Sequence, residues 1–157
     1  MKNLTEQIKS LLNSDGNHGA ALEQVLHEVL KHFHSETGTI HRLDVEKQLL
    51  HLAAQVGLPP QMLEVVKTIP VGKGIAGRVV ARGEPVTVCN LQTDTSGVAR
   101  LGAKQAGIGG ALCVPLRNGD TIVGAIGIGT TRPYEYTPEE TRLLEEIGRT
   151  LGAYLNP

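Results

Sequence analysis

Gly110-Ala111-Leu112-Cys113-Val114-Pro115-Leu116-Arg117 and Thr121-Ile122-Val123-Gly124-Ala125-Ile126-Gly127-Ile128, joined by Asn118-Gly119-Asp120, decide the fold of this chain. Two apolar runs around Asn-Gly predict an antiparallel hairpin, with Asn-Gly in the two positive-φ positions of a type I′ turn. Leu112, Val114 and Leu116 alternate with Ala111, Cys113 and Pro115; Ile122, Ile126 and Ile128 alternate with Val123, Ala125 and Gly127. One face of the hairpin is therefore bulky and the other mostly small. The bulky face needs helices packed on it, and the small face leaves room for something else.

Around the hairpin the pattern is mixed. Leu4, Ile8, Leu11 and Leu12 form a helical stripe over Met1–Asn13, broken at Ser14-Asp15-Gly16-Asn17. A second helix over Gly19–His34 places Leu22, Val25, Leu26, Val29, Leu30 and Phe33 on one face. Thr37–Leu43 and Gln48–Val56 read as paired strands across Asp44-Val45-Glu46-Lys47. Pro59-Pro60 opens a short helix ending near Lys67, and a further helix runs to Arg82, stopped at Gly83. Val86-Thr87-Val88 is a short strand. Asn90–Gly110 is a long polar connection with a helical turn expected near Gly102–Ala106, and connections of that length are commonly functional. The last helix has Thr137 as N-cap, Pro138 at its first position and Glu140 completing a capping box. Its apolar face is Leu143, Leu144, Ile147, Leu151 and Tyr154. Terminal helices around a largely antiparallel sheet make an α+β domain.

Gly72-Lys73-Gly74-Ile75-Ala76-Gly77 spells the G-x-G-x-x-G dinucleotide fingerprint, and Asp94 follows at about the expected twenty residues. The context is wrong for it. The preceding Thr68-Ile69-Pro70-Val71 is short and interrupted by proline, and an antiparallel hairpin follows instead of a parallel crossover.

At 157 residues, 40% hydrophobic and 20% charged, the chain is expected to form one domain over 1–157, with 1–18 a helix and linker and 19–155 the core. A net charge of −1 without basic runs gives no reason to expect nucleic acid or an anionic membrane as partner. With no Trp, one Phe and three Tyr, stacking platforms are absent too. No stretch has the length of a membrane span, and the N-terminus is not read as a signal peptide. Cys89 and Cys113 are expected to be free thiols in a reducing cytoplasm.

The chain resembles the GAF domain family from about Gly19 to Leu155. The resemblance is carried by Val71–Gly77 before a helix, Gly83-Glu84-Pro85-Val86-Thr87-Val88, Val114–Gly127, and Tyr136-Thr137-Pro138-Glu139-Glu140 before an apolar helix. It implies a central antiparallel sheet of five to six strands, with the N- and C-terminal helices on one face. A small-molecule pocket under loops is implied on the other. The family is functionally diverse, and its marked branches carry residues that this chain lacks. Cyclic-nucleotide binders carry an Asn-Lys, Phe, Asp-Glu signature, whereas the single phenylalanine here is Phe33. Bilin binders need Cys-His or Asp-Cys-Phe contexts, whereas Cys89 precedes Asn90 and Cys113 precedes Val114. Free-methionine sulfoxide reductases resemble the chain in length, but place a cysteine where Ala76 stands and another in the loop before the hairpin.

Several residues are candidates for the pocket. Thr39, His41 and His51 share the strand phase opposite Ile40, Leu50 and Leu52, which aims them at the pocket face. The plainer reading is hydrogen-bonded polar residues near a strand end, and it also stands against haem ligation by His41 or His51. No HExxH or Cys/His spacing marks zinc. The others are Cys89, Cys113, Ala125 and Gly127, with Asp94 or Arg100 at the mouth. Thr93, Asp94, Thr95, Ser96 and Arg100 read equally as an anion clamp or as a solvated loop. Lys73 reads as an anion contact at a helix N-terminus or as an exposed turn lysine.

The expected function is non-catalytic: a sensor that binds an unidentified small molecule and signals through a separate output protein or as a homodimer. The dimer is expected through the terminal helices, because the stripe of the first helix has little chain left to cover it. The alternatives are a thiol redox enzyme or sensor using Cys89 and Cys113, and a pure dimerisation module with a vestigial pocket.

Overall fold

The computed structural model describes residues 3–13, 18–92 and 107–155. In chain order the elements are α1 (Leu4–Asn13), α2 (His18–Phe33), β1 (Thr37–Asp44), β2 (Leu49–Val56), α3 (Pro60–Val66) and β3 (Thr68–Pro70). Then follow α4 (Gly74–Arg82), β4 (Val86–Val88), β5 (Ala111–Asn118), β6 (Thr121–Gly129) and α5 (Pro138–Leu155). The turn expected near Gly102–Ala106 lies outside the described residues.

The strands form one sheet in the order β3-β2-β1-β6-β5-β4. Every pairing is antiparallel. The hairpin β5–β6 and the hairpin β1–β2 meet at β1 and β6, which makes these the central strands. No parallel crossover surrounds Gly72–Gly77, because β3 before it pairs antiparallel with β2. The segment is a joint instead. Gly72 N–H donates to the Gly77 carbonyl at 2.8 Å, and Lys73 N–H to that of Pro70 at 3.1 Å. A Cβ at Gly77 would stand 2.5 Å from the Pro70 carbonyl oxygen, so only glycine lets the first turns of α4 lie against β3.

The predicted alternation holds for most of the hairpin. Leu112, Val114, Leu116, Ile126 and Ile128 join Ile40 in a core with α1, α2 and α5. α1 and α5 therefore lie together on this face, with α2 beside them. Two details differ. Asn118 pairs with Thr121, so the turn residues are Gly119 and Asp120, and φ is positive at Gly119 (63°) alone. That is the pattern of a type II′ turn and not of the Asn-Gly type I′ turn. Val123 is also an extra residue on β6, since Leu116 pairs with Gly124 but Arg117 with Ile122. This bulge turns Ile122 to the opposite face, beside Val79 and Val80.

The capping box of α5 forms as its sequence predicts. Glu140 N–H donates to Thr137 Oγ1 at 3.1 Å, and Thr137 N–H donates to Glu140 Oε1 at 2.8 Å. The stripe on α1 has a different outcome from its expectation. Leu4, Ile8 and Leu12 are buried in the same core as Leu26 of α2 and Leu151 of α5. The stripe is covered within one chain, so it supplies no reason for a second copy.

The joint at Gly77 generates a stability prediction. Gly77→Ala is expected to cost about 1–3 kcal/mol in chemical denaturation, as overpacking against rigid backbone does. An unchanged denaturation midpoint would show that α4 does not rest on β3 in this way.

Candidate functional site

On the face away from α1, α2 and α5, the register lines up residues of β1, β6 and β5 in rows. Thr37, Gly129 and Ala111 form one row; Thr39, Gly127 and Cys113 the next; His41, Ala125 and Pro115 the third. The middle strand contributes only Gly129, Gly127 and Ala125, so the sheet is hollow along its centre. α3 and α4 close over this face because their apolar residues have nowhere else to be buried. Met62, Val65 and Val66 of α3, with Ile69 of β3, stand over one side of the hollow, and Gly74–Ala76 of α4 over another.

The result is a cavity of about 130 Å3. Its floor includes Thr37, Thr39, His41, Cys113, Gly127 and Gly129, and Leu91 and Ile108 complete the wall. Both ends of the long connection are fixed there. Leu91 N–H donates to the Gly109 carbonyl at 2.7 Å, Gly109 N–H to that of Thr130 at 2.7 Å, and Gln92 Nε2 to that of Ile108 at 2.9 Å. Among the described residues no charged side chain lines the cavity, and its surface is almost entirely apolar.

His41 is the exception. It is 2% exposed, and its Nε2 lies 2.8 Å from the Val66 carbonyl oxygen. A carbonyl only accepts, so Nε2 carries the hydrogen. Desolvation by burial holds the His41 pKa below its usual 6.5, against the Val66 bond, which raises it, and the His51 charge, which lowers it. The ring is thus neutral near pH 7, with Nδ1 as an acceptor. Among the described residues that buried Nδ1 has no hydrogen-bond partner.

Thr39, His41, Cys113 and Gly127 are therefore brought together, as the strand phase predicts. His51 is not. Ile40 pairs with Ala54 but His41 with Leu52, leaving Ala53 as an extra residue on β2. Without that bulge Leu43 would face His51; with it Arg42 does, and His51 turns away from the pocket to pair with Asp44 at 3.6 Å. Leu50 takes the inward position, fully buried beside Cys113 and Ala125. Ala125 itself is buried, but under Val79 and Val80 of α4, not at the cavity wall. Asp94, Arg100 and their neighbours Thr93, Thr95 and Ser96 lie outside the described residues.

The two thiols are separated. Cys89 is exposed and Cys113 buried. Cys113 pairs with Val86 and Ala111 with Val88, so Cys89 lies three residues beyond Val86, about 10 Å further along the strand. A disulfide needs Cα atoms within about 7 Å. Burial also pushes the Cys113 pKa up to about 12, which suppresses the thiolate.

The wall from α3 was not assigned from the sequence. Met62, Val65 and Val66 sit at i, i+3 and i+4, the spacing of one helical face, and Pro59-Pro60 already marked the helix. That face was the available signal.

The sequence profile of the GAF domain matches residues 18–156. A search of curated protein sequences finds no match. Among solved structures, the GAF domain of A. aeolicus nlh2 in an inactive state superposes with a TM-score of 0.77 at 21% identity, covering 98% of this chain and 93% of that one. The GAF domain of an Acinetobacter phosphoenolpyruvate-protein phosphotransferase gives 0.81 at 19% identity, covering 99% and 94%. The free methionine-R-sulfoxide reductase of Neisseria meningitidis, solved with its substrate, gives 0.77 at 18% identity, covering 96% and 85%. At these identities the likeness is one of fold.

The buried imidazole predicts a pH dependence. Its folded pKa lies below 6.5, so below pH 6.5 the unfolded chain binds the extra proton first and stability falls with pH. The loss is at most about 1.4 kcal/mol per pH unit for one site. Denaturation of His41→Gln between pH 7 and pH 5 is expected to show a shallower decline than the parent. Equal slopes would mean that His41 is not buried neutral.

Proposed function

This chain belongs to the GAF domain family, and we propose that within it the protein is a non-catalytic small-molecule sensor whose occupancy is passed to a partner. The observation that carries this reading is the hollow at Gly127. A side chain there would meet Thr39 Oγ1 at 3.4 Å and Cys113 Sγ at 3.6 Å, ordinary contact distances, so the backbone leaves space that it could have filled. Apolar walls over an open floor, with a few polar groups converging, are the usual make-up of a ligand site.

The chemistry available in the cavity favours binding over catalysis. Its one thiol is held protonated, and apart from the neutral His41 imidazole the described lining offers no acid, base or cation to activate a substrate. The rival reading, a thiol redox protein like the sulfoxide reductases that share the fold, needs Cys89 and Cys113 to meet, and the strand register keeps them apart.

A route for the output runs from the cavity wall to α5. Gly110 N–H donates to the Arg132 carbonyl at 3.1 Å, and Tyr134 N–H to the Cys89 carbonyl at 2.9 Å. The Tyr134 hydroxyl in turn donates to Glu140 Oε1 at 2.7 Å, inside the capping box of α5. A ligand that displaces Ile108 or Leu91 pulls on this chain of bonds, and a partner reading the start of α5 registers it.

Two experiments test the proposal. Native mass spectrometry of freshly purified protein is expected to show a retained small molecule that is lost in Gly127→Leu, with circular dichroism unchanged. Equal retention in both proteins would place the ligand elsewhere. With a thiol-specific disulfide reagent, one cysteine is expected to react at once and the second only on unfolding. Rapid formation of a Cys89–Cys113 disulfide under peroxide would sink the sensor reading in favour of the redox one.

A further inference from the structure

Among the described residues one buried side-chain atom, Nδ1 of His41, has no hydrogen-bond partner, and His41 lines the cavity. Nε2 of His41 is committed to the Val66 carbonyl, so the ring cannot offer Nδ1 as a donor while it stays neutral. Nδ1 can only accept, and among the described residues nothing donates to it. Leaving such a group buried and unpaired is costly, and the cost disappears if a ligand brings the donor. The remaining walls set the rest of the ligand. Met62, Val66, Ile69, Leu91 and Ile108 present hydrocarbon, and no lysine or arginine among the described lining residues would pair with an anion. An ion entering there would leave its hydration without a counter-charge. In volume the cavity is close to the roughly 150 Å3 that suffices for benzene in an apolar interior.

Resting on the sensor reading above, we propose that the site takes a small, neutral, mostly apolar molecule of about one six-membered ring, which donates a single hydrogen bond to Nδ1 of His41. Among the described residues, the uncapped start of α4, at Gly74–Ala76, is the feature that would argue for an anion instead, since helix N-termini attract negative charge. An anionic probe therefore belongs in the test.

Phenol, toluene and benzoate serve as the probes, titrated into the whole chain by calorimetry. The same titrations are followed through the 15N resonances of labelled histidine. Phenol is expected to move the His41 Nδ1 resonance toward its hydrogen-bonded value, while toluene binds without moving it. In His41→Leu the ratio of phenol to toluene affinity is expected to fall about tenfold, the size of one desolvated hydrogen bond. If that variant does not fold, the Nδ1 resonance of the parent protein decides alone. Binding of both phenol and toluene with Nδ1 unmoved would overturn the proposed donor and leave the pocket intact. Benzoate binding more tightly than phenol would overturn the neutral ligand. No binding of any of the three would remove the pocket reading itself.

Discussion

The structure turns on the narrow middle of its sheet. β6 is the strand on which both hairpins meet, and along one face, beyond its bulge, it carries only Gly129, Gly127 and Ala125. Along the other it carries Ile128 and Ile126, both buried against the helices. A strand with side chains on two faces can support two layers, and here the supports are unequal. The isoleucines hold α1, α2 and α5 in a dense core. The glycines fill nothing, and the space left between them and α3 and α4 is the cavity. The same nine residues of β6 thus produce the rigid layer and the hollow one.

The hollow is bounded by segments whose backbones are tied together more firmly than their loop character suggests. Gly109 and Gly110 pair with Thr130 and Arg132, and Gly110 N–H also donates to Thr130 Oγ1 at 2.9 Å. Arg132 lies over the Tyr134 ring and within 3.8 Å of Glu36. The Tyr136 hydroxyl meets Ser35 Oγ at 2.7 Å. The wall of the cavity, the approach to α5 and the end of α2 are therefore one hydrogen-bonded unit. Such networks are stiff when satisfied, which is the property that the proposed route from the cavity wall to α5 requires.

The order of elements and the helix-facing core were legible in the sequence because period and turn chemistry agree there. Leu112 to Leu116, the α5 capping box and the stop at Gly83 each rest on a local rule that the tertiary structure respects. The strand faces that differ do so for one physical reason. Single extra residues at Ala53 and Val123 invert the phase of a strand, and neither alanine nor valine announces a bulge as glycine would. His51 and Ile122 were assigned to the wrong faces accordingly, whereas Thr39, His41, Cys113 and Gly127 lie where the phase is uninterrupted. Ala125 was given the correct face, but the sequence could not show that α4 would cover it with Val79 and Val80. The cover of the α1 stripe is likewise not local. Its partners are Leu26 and Leu151, distant in sequence and brought to it only by the closing of the helix layer.

The energetic position of His41 favours the proposed working pocket over a vestigial one. A cavity that had lost its ligand would gain by replacing the imidazole with a hydrocarbon side chain, since the unpaired Nδ1 costs on the order of 1–3 kcal/mol and the Val66 bond returns only about 1 kcal/mol. Filling Gly127 with even a methyl group would add packing at no steric cost. Neither change is present. Both features weaken the protein on this face, and the proposed ligand, by filling the space and donating to the nitrogen, would repair both at once. A fold held together by the dense layer on the other face tolerates that local deficit, which is the condition under which a bound molecule can change the stability and the geometry of one face without unfolding the rest.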